Sequence, residues 1–317
     1  MAMSGEQVLP VVRVAELASD EIAERWLVDQ LWCAQSVGVI GGAPKCAKTW
    51  LGLDIALSVA TGTPCLGKYT VPEPGPVLVY LAEDALPAVR ERIEGMAQHR
   101  GLDLDQVEIH VITAPVLRLD QDQDRARLWE TVRRLRPRLL VLDPLVRLHG
   151  IDENHAGDVA ELLGYFRSLQ RQLGLSVLLV HHTRKNAPDG VAAGQGLRGS
   201  GDIHAFGDSN LYLRRIERHL ILSSEHRSAP ASAPVYLKLV AGDAGSTHLE
   251  VVTQPDDENV CSLEEQVLNL LAQGETLTRT RLRDALAVNN ERLGKALDSL
   301  ERAGRIGRTP RGWQGFR

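Results

Sequence analysis

Short apolar runs alternate with stretches of helical spacing through the first two thirds of the chain. Val37–Ile40, Val77–Leu81, Val107–Ile112, Leu139–Leu142 and Leu175–Val180 predict buried strands. Between them Thr49–Ala60, Leu86–His99, Asp124–Leu135 and Val159–Leu173 carry apolar residues at helical intervals. Strands that are apolar throughout, separated by helices, predict a parallel sheet covered on both faces. The pattern changes after Val180. Arg184–Gly201 holds five glycines and no apolar period, and predicts a long loop of the kind that compact domains keep for function. Ser209–Leu213, His219–Ser224, Val235–Val240 and His248–Val252 then follow without helices between them and predict an antiparallel extension of the sheet.

Thr253–Asn259 is polar, with Pro and acids, and reads as a linker. Helical spacing returns in Leu263–Ala272, in Arg279–Leu286 capped by Thr278, and in Glu291–Ala303 capped by Asn289 or Asn290 and stopped by Gly304. Two short strands, Arg305–Thr309 and Gly312–Phe316, close the chain. Three helices and a hairpin predict a winged helix-turn-helix. The domain reading is therefore 1–252 (with a lead-in over 1–30), a linker over 253–260, and a small unit over 261–317.

Composition narrows the classes. The chain has 317 residues, 44% hydrophobic and 24% charged, which is enough to bury a full core and excludes disordered or fibrous classes. The net charge of -5 excludes a uniformly basic surface. Residues 261–317 nevertheless carry ten Lys/Arg against seven Asp/Glu, so the negative balance belongs to the first unit. Four cysteines without a C-x-x-C pair predict neither a zinc site nor a disulfide framework, and fit a reducing cytoplasm. The N-terminus lacks an apolar h-region, and no apolar run approaches the ~20 residues of a membrane span.

The chemistry begins after the first strand. Gly42-Ala43-Pro44-Lys45-Cys46-Ala47-Lys48-Thr49 fits G-x-x-x-x-G-K-[ST], except that Ala47 stands at the second glycine. Backbone N–H groups of such a loop wrap a phosphate, and the following helix adds its positive end. Gly42 through Thr49, with Trp50, are the candidate ATP-binding residues. Lys48 would reach the β- and γ-phosphates and Thr49 would coordinate Mg²⁺. The Ala47 methyl is tolerable at negative φ and costly at positive φ. Asp143 ends Leu139–Leu142 where open α/β sheets bind ligands, and is the second Mg²⁺ candidate. Glu83 ends another strand and is the candidate base for water; Asp84 beside it reads as a helix cap. His181 reads as a structural residue. His182 reads either as structural or as a sensor of the γ-phosphate. In the glycine loop, Arg184, Lys185 and Arg198 would touch nucleic-acid phosphates, or Arg198 would reach a neighbouring subunit's nucleotide as an arginine finger; a solvated basic loop is the plain alternative.

Taken together, GGAPKCAKTWLGLDIALSVATG, the strands ending LAED and LLVLDPL, and LLVHHTRK followed by GLRGSGDIHAFGDSNLYLRR resemble the RepA-type branch of the RecA-like P-loop ATPases. These are hexameric replicative helicases of plasmids and phages and their relatives. The resemblance covers roughly residues 25–252 and departs at Cys46 and Ala47. It implies phosphate and Mg²⁺ binding by Lys48 and Thr49, activation of water by Glu83, and metal binding by Asp143. It further implies a γ-phosphate contact from His182, a finger in trans from Arg198, and a homo-hexamer working on single-stranded DNA.

In the small unit, residues 288–317 hold seven Lys/Arg against three acids. Asn290, Arg292 and Lys295 would meet duplex bases, and Arg305, Arg308 and Arg311 phosphates; Trp313 would pack the wing. Such units also serve as protein contacts. The leading function is a DNA-dependent ATPase motor or helicase. The alternatives are an ATP-switched regulatory or recombination-associated DNA-binding protein, and a RecA-like ATPase acting on protein.

Overall fold

The computed structural model describes residues 9, 11–16, 26–153, 155–182, 201–216, 219–242, 246–253, 263–272, 276–286, 288 and 290–316. The chain divides into two compact units, Met1–Val252 and Thr253–Arg317.

In the first unit, the strands in chain order are β1 (Trp26–Val28), β2 (Trp32–Cys33), β3 (Val37–Gly42), β4 (Val77–Leu81), β5 (Ile109–Val111), β6 (Leu139–Asp143), β7 (Ser176–His182), β8 (Ser209–Ile216), β9 (His219–His226), β10 (Val235–Val240) and β11 (His248–Val252). The helices are α1 (Lys48–Thr61), α2 (Leu86–His99), α3 (Asp122–Leu135), α4 (Ala156–Leu173) and the short α5 (Gly201–Phe206). A nine-stranded sheet runs in the order β11-β10-β9-β8-β3-β7-β6-β4-β5. From β8 to β5 neighbouring strands are parallel. Strands β8 to β11 add the antiparallel extension.

Side-chain alternation explains why the central strands are apolar throughout. Val77, Val79, Leu139, Val141, Leu178 and Val180 pack with Leu51, Ile55 and Val59 of α1. Leu78, Tyr80, Leu140, Leu142, Val177 and Leu179 pack on the other face with Leu128 and Val132 of α3 and with Phe166 of α4. Each such fully buried aliphatic side chain contributes about 1.5–3 kcal/mol of transfer free energy. Strand β3 carries glycine where β8 comes closest: a Cβ at Gly38 would stand 1.6 Å from the Ser209 carbonyl oxygen, and one at Gly42 2.6 Å from that of Leu213. The phosphate-loop strand can sit between β7 and β8 only with those side chains missing.

A buried ion pair ties α1 to α2. Arg100 Nη2 lies 2.7 Å from Asp54 Oδ2, with side chains 12% and 4% exposed. Asp54 Oδ1 accepts from the Leu66 N–H, and Arg100 Nη1 donates to the Ser58 and Thr63 hydroxyls.

The second unit contains α6 (Leu263–Leu271), α7 (Arg279–Leu286), α8 (Asn290–Arg302) and the antiparallel hairpin β12 (Ile306–Thr309) and β13 (Gly312–Gly315). Val267, Leu271, Leu282, Leu293, Leu297, Ile306 and Trp313 form its own core. The Thr278 hydroxyl accepts from the Arg281 N–H, as a helix cap does. Gly304, at φ +66°, turns the chain out of α8. Among the described residues, no helix is long and apolar enough to cross a membrane.

Candidate functional site

Strand β3 delivers the chain into the loop 43–47, and α1 begins at Lys48. Ala47 takes φ +59° and Lys45 φ +64°. The positive sign puts the Ala47 methyl against the following carbonyl, a cost of roughly 1–2 kcal/mol that glycine avoids. Lys48 is buried, and its Nζ donates to the carbonyls of Gly42 and Ala43 at 3.0 and 2.8 Å. Burial holds its ammonium below the ordinary range, while Cys46, Asp143 and Glu83 pull the other way.

Strand β6 ends in Asp143, 7% exposed, and Thr49 lines the same cavity. Desolvation pushes the Asp143 carboxyl up to about 6, against the opposing effects of the Thr49 hydroxyl and the Lys48 charge. Its buried Oδ2 has no hydrogen-bond partner among the described residues. A desolvated carboxylate with an unsatisfied oxygen beside a hydroxyl is a donor set that fits a hard divalent cation.

Glu83 follows β4, half exposed, and its Oε1 accepts from Arg147 Nε at 2.7 Å. Asp84 departs from its expected role. The residue preceding α2 is Ala85, without a side-chain cap, and Asp84 instead pairs with Arg92 Nη1 at 2.5 Å. Arg92 lies eight residues along the chain and two helical turns into α2, so the Asp84 carboxylate is drawn sideways to a cation rather than back to the helix N–H groups. The Arg92 guanidinium also stands 5.4 Å from the Trp50 ring centre.

A cavity of about 370 Å³ brings these groups together. It is lined by Lys45, Cys46, Ala47, Lys48, Thr49 and Trp50 with Glu83, Asp84, Arg92, Asp143, Pro144, His182 and Leu239. Gly42, Ala43 and Pro44 precede that lining; Gly42 and Ala43 hold the Lys48 amino group through their carbonyls. Alternation along β7 sends the two histidines to opposite faces. His182 lines the cavity, whereas buried His181 has its Nε2 3.9 Å from Glu153 Oε2. A larger cavity of about 700 Å³ lies between β5 and α3 and contains no residue of the phosphate loop.

Arg92 and Arg147 are absent from the sequence reading, because a lone arginine on a helix or turn carries no motif. Arg184, Lys185 and Arg198 lie outside the described residues, as does the side chain of Arg292. In the second unit Asn290, Lys295, Arg305, Arg308 and Arg311 are exposed, and Trp313 is buried against the helices. They belong to the unit without the phosphate loop.

A family model described as an AAA domain matches residues 5–188. A solved structure titled "Crystal structure of the RadB recombinase" shares the fold at a TM-score of 0.51 and 17% identity, covering 69% of this chain and 92% of that one. The common fold is the RecA-like α/β arrangement with a mostly parallel central sheet.

Proposed function

The chain belongs to the AAA-domain family, and from that premise we propose that it is an ATP-hydrolysing oligomeric motor of the RepA type that acts on DNA. The observation that carries this reading is the meeting of Lys48, Thr49 and Asp143 in one cavity, with an unsatisfied Asp143 oxygen facing no protein donor among the described residues. Thr49 and Asp143 would hold Mg²⁺, which neutralises charge on the β- and γ-phosphates when bound.

The chain's own groups account for the rest. Lys48 exchanges the carbonyls of Gly42 and Ala43 for phosphate oxygens. Glu83 orients a water in line with the γ-phosphorus and accepts its proton as the bond to the ADP oxygen breaks. His182 hydrogen-bonds the γ-phosphate and reports its loss along β7. Arg198 of a neighbouring subunit offsets the developing charge, which makes the active form a ring, six-membered in this reading. Arg184 and Lys185 contact single-stranded DNA. The second unit acts as a winged helix on duplex DNA through Asn290, Arg292, Lys295, Arg305, Arg308 and Arg311.

ATP hydrolysis by the full chain, with and without single-stranded DNA and beside Lys48→Ala, tests the motor. A second reading rests on the exposed polar and basic residues of α8 and the hairpin. In it, ATP controls assembly while that unit reads a site, without unwinding. Strand displacement separates the two: a site-specific footprint with no displaced strand favours the switch.

A further inference from the structure

The phosphate loop holds two residues other than glycine in left-handed backbone, Lys45 at φ +64° and Ala47 at φ +59°. Such backbone is unfavourable for a residue with a Cβ and persists where the surroundings over-determine it. Here the surroundings include a neighbouring strand. Strands β3 and β8 pair as far as Gly42 with Leu213, and β8 then runs on to Ile216. That overhang is paired with β9: Arg214 with Ile221, Arg215 with Leu220 and Ile216 with His219. It therefore continues past the end of β3 as a two-stranded ribbon beside the loop. From it Arg215 Nη2 donates to the Lys45 carbonyl at 3.0 Å, across 170 positions of sequence.

We propose that Arg215 is a positioning residue: by holding the Lys45 carbonyl, it keeps a phosphate loop that lacks its second glycine in the conformation that accepts nucleotide. The proposal rests on the ATP-binding reading above. It adds what makes the alanine at position 47 tolerable.

The Lys45–Cys46 peptide lies between the two left-handed residues, so rotation at either one moves it. A peptide is planar, with its carbonyl and its N–H on opposite sides. Arg215 holds the carbonyl from outside. The Cys46 N–H points the other way, into the loop, and donates to the Ala43 carbonyl at 3.3 Å. That carbonyl also accepts from Lys48 Nζ at 2.8 Å. The Cys46 bond is long, and an ionised phosphate oxygen is the stronger acceptor, so nucleotide can take this donor over.

The support behind Arg215 is firm. Leu211, Tyr212 and Leu213 just before the overhang are buried, whereas Arg214 and Arg215 are exposed. Arg215 is absent from the lining of the Lys48 cavity. Its effect on nucleotide therefore runs through the loop, and belongs to binding rather than to the chemical step.

Two measurements test the tie: equilibrium binding of N-methylanthraniloyl-ATP with Mg²⁺, and steady-state ATP hydrolysis. The proteins are full-length wild type, Arg215→Ala and Arg214→Ala, each with and without Ala47→Gly. We expect Arg215→Ala to raise the probe's Kd and the KM for ATP about fivefold, the equivalent of about 1 kcal/mol for one hydrogen bond. Its kcat stays within about twofold of wild type, as a loss of uniform binding requires. Arg214→Ala removes the same charge from the same strand and leaves Kd unchanged. In the Ala47→Gly background Arg215→Ala weakens binding by less than about twofold, because glycine holds the left-handed turn without strain. Melting temperatures equal to that of each variant's parent show that the variants fold. A Kd that Arg215→Ala leaves unchanged overturns the tie. So does an equal loss in Arg214→Ala, which makes the effect one of surface charge. An equal loss in the glycine background overturns it as well, because strain at position 47 is then not what Arg215 offsets. A fall in kcat at unchanged KM overturns it by placing Arg215 at the transition state. A wild type that binds no probe removes the ATP reading and the tie together, whereas unaffected variants of a wild type that binds remove the tie alone.

Discussion

At Ala47 a methyl group occupies a backbone position that turns left-handed, φ +59°. The motif shows the substitution; only the dihedral shows its cost. Ala47→Gly relieves the clash and should stabilise the first unit by about 1 kcal/mol, read as a raised melting temperature. A lowered one would mean the methyl contributes packing that outweighs the strain. Asp143 presents the opposite case, since its position at a strand end was legible as chemistry but its state was not. Its folded carboxyl titrates at about 6 against an ordinary 3.8, because burial disfavours the charge. A raised acid contributes stability below its unfolded value and loses it as pH rises through about 6. At neutral pH the ionised group is therefore a burden that Mg²⁺ would relieve. Asp143→Asn should stabilise the metal-free fold above pH 7 by about 2–3 kcal/mol, converge on the wild type in acid, and abolish Mg²⁺-dependent turnover. Denaturant unfolding across pH checks this, and a variant less stable than wild type at high pH would contradict it.

Among the elements, the strands and helices of the sheet were legible because each central strand is apolar on both faces and each helix repeats its apolar side. β4, α2, β10 and β11 occupy the residues that the pattern predicts. The hairpin Trp26–Val28 and Trp32–Cys33 was not legible, since strands this short carry no period; the fully buried Trp32 holds it in place. Nor was the strand order, which depends on pairs such as Gly38 against Ser209. The Asp54–Arg100 pair is another long-range element link with no local signature. Removing one partner leaves a buried charge uncompensated and the Leu66 N–H without its acceptor. Asp54→Ala should cost about 3–5 kcal/mol, measured by urea unfolding. A loss under 1 kcal/mol would show that α1 and α2 are held by apolar packing alone.

For the whole molecule, the charge balance acquires a location. The net of -5 falls on the larger unit that holds the phosphate loop, while residues 261–317 of the small unit carry ten Lys/Arg against seven acids. The candidate site was largely readable at Lys48, Thr49, Asp143, Glu83 and His182, because its motif residues sit where strands end. The arginines paired with its acids were not, because their meaning lies in partners that are distant in sequence, such as Arg147 on Glu83. We propose that this cavity hydrolyses ATP under the control of DNA. The most direct measurement is phosphate release by the full chain at saturating ATP and Mg²⁺, with and without single-stranded DNA, beside Lys48→Ala. Hydrolysis should rise with DNA and vanish in the variant. A rate that is the same in the variant, or no phosphate release by the wild type in either condition, would contradict it.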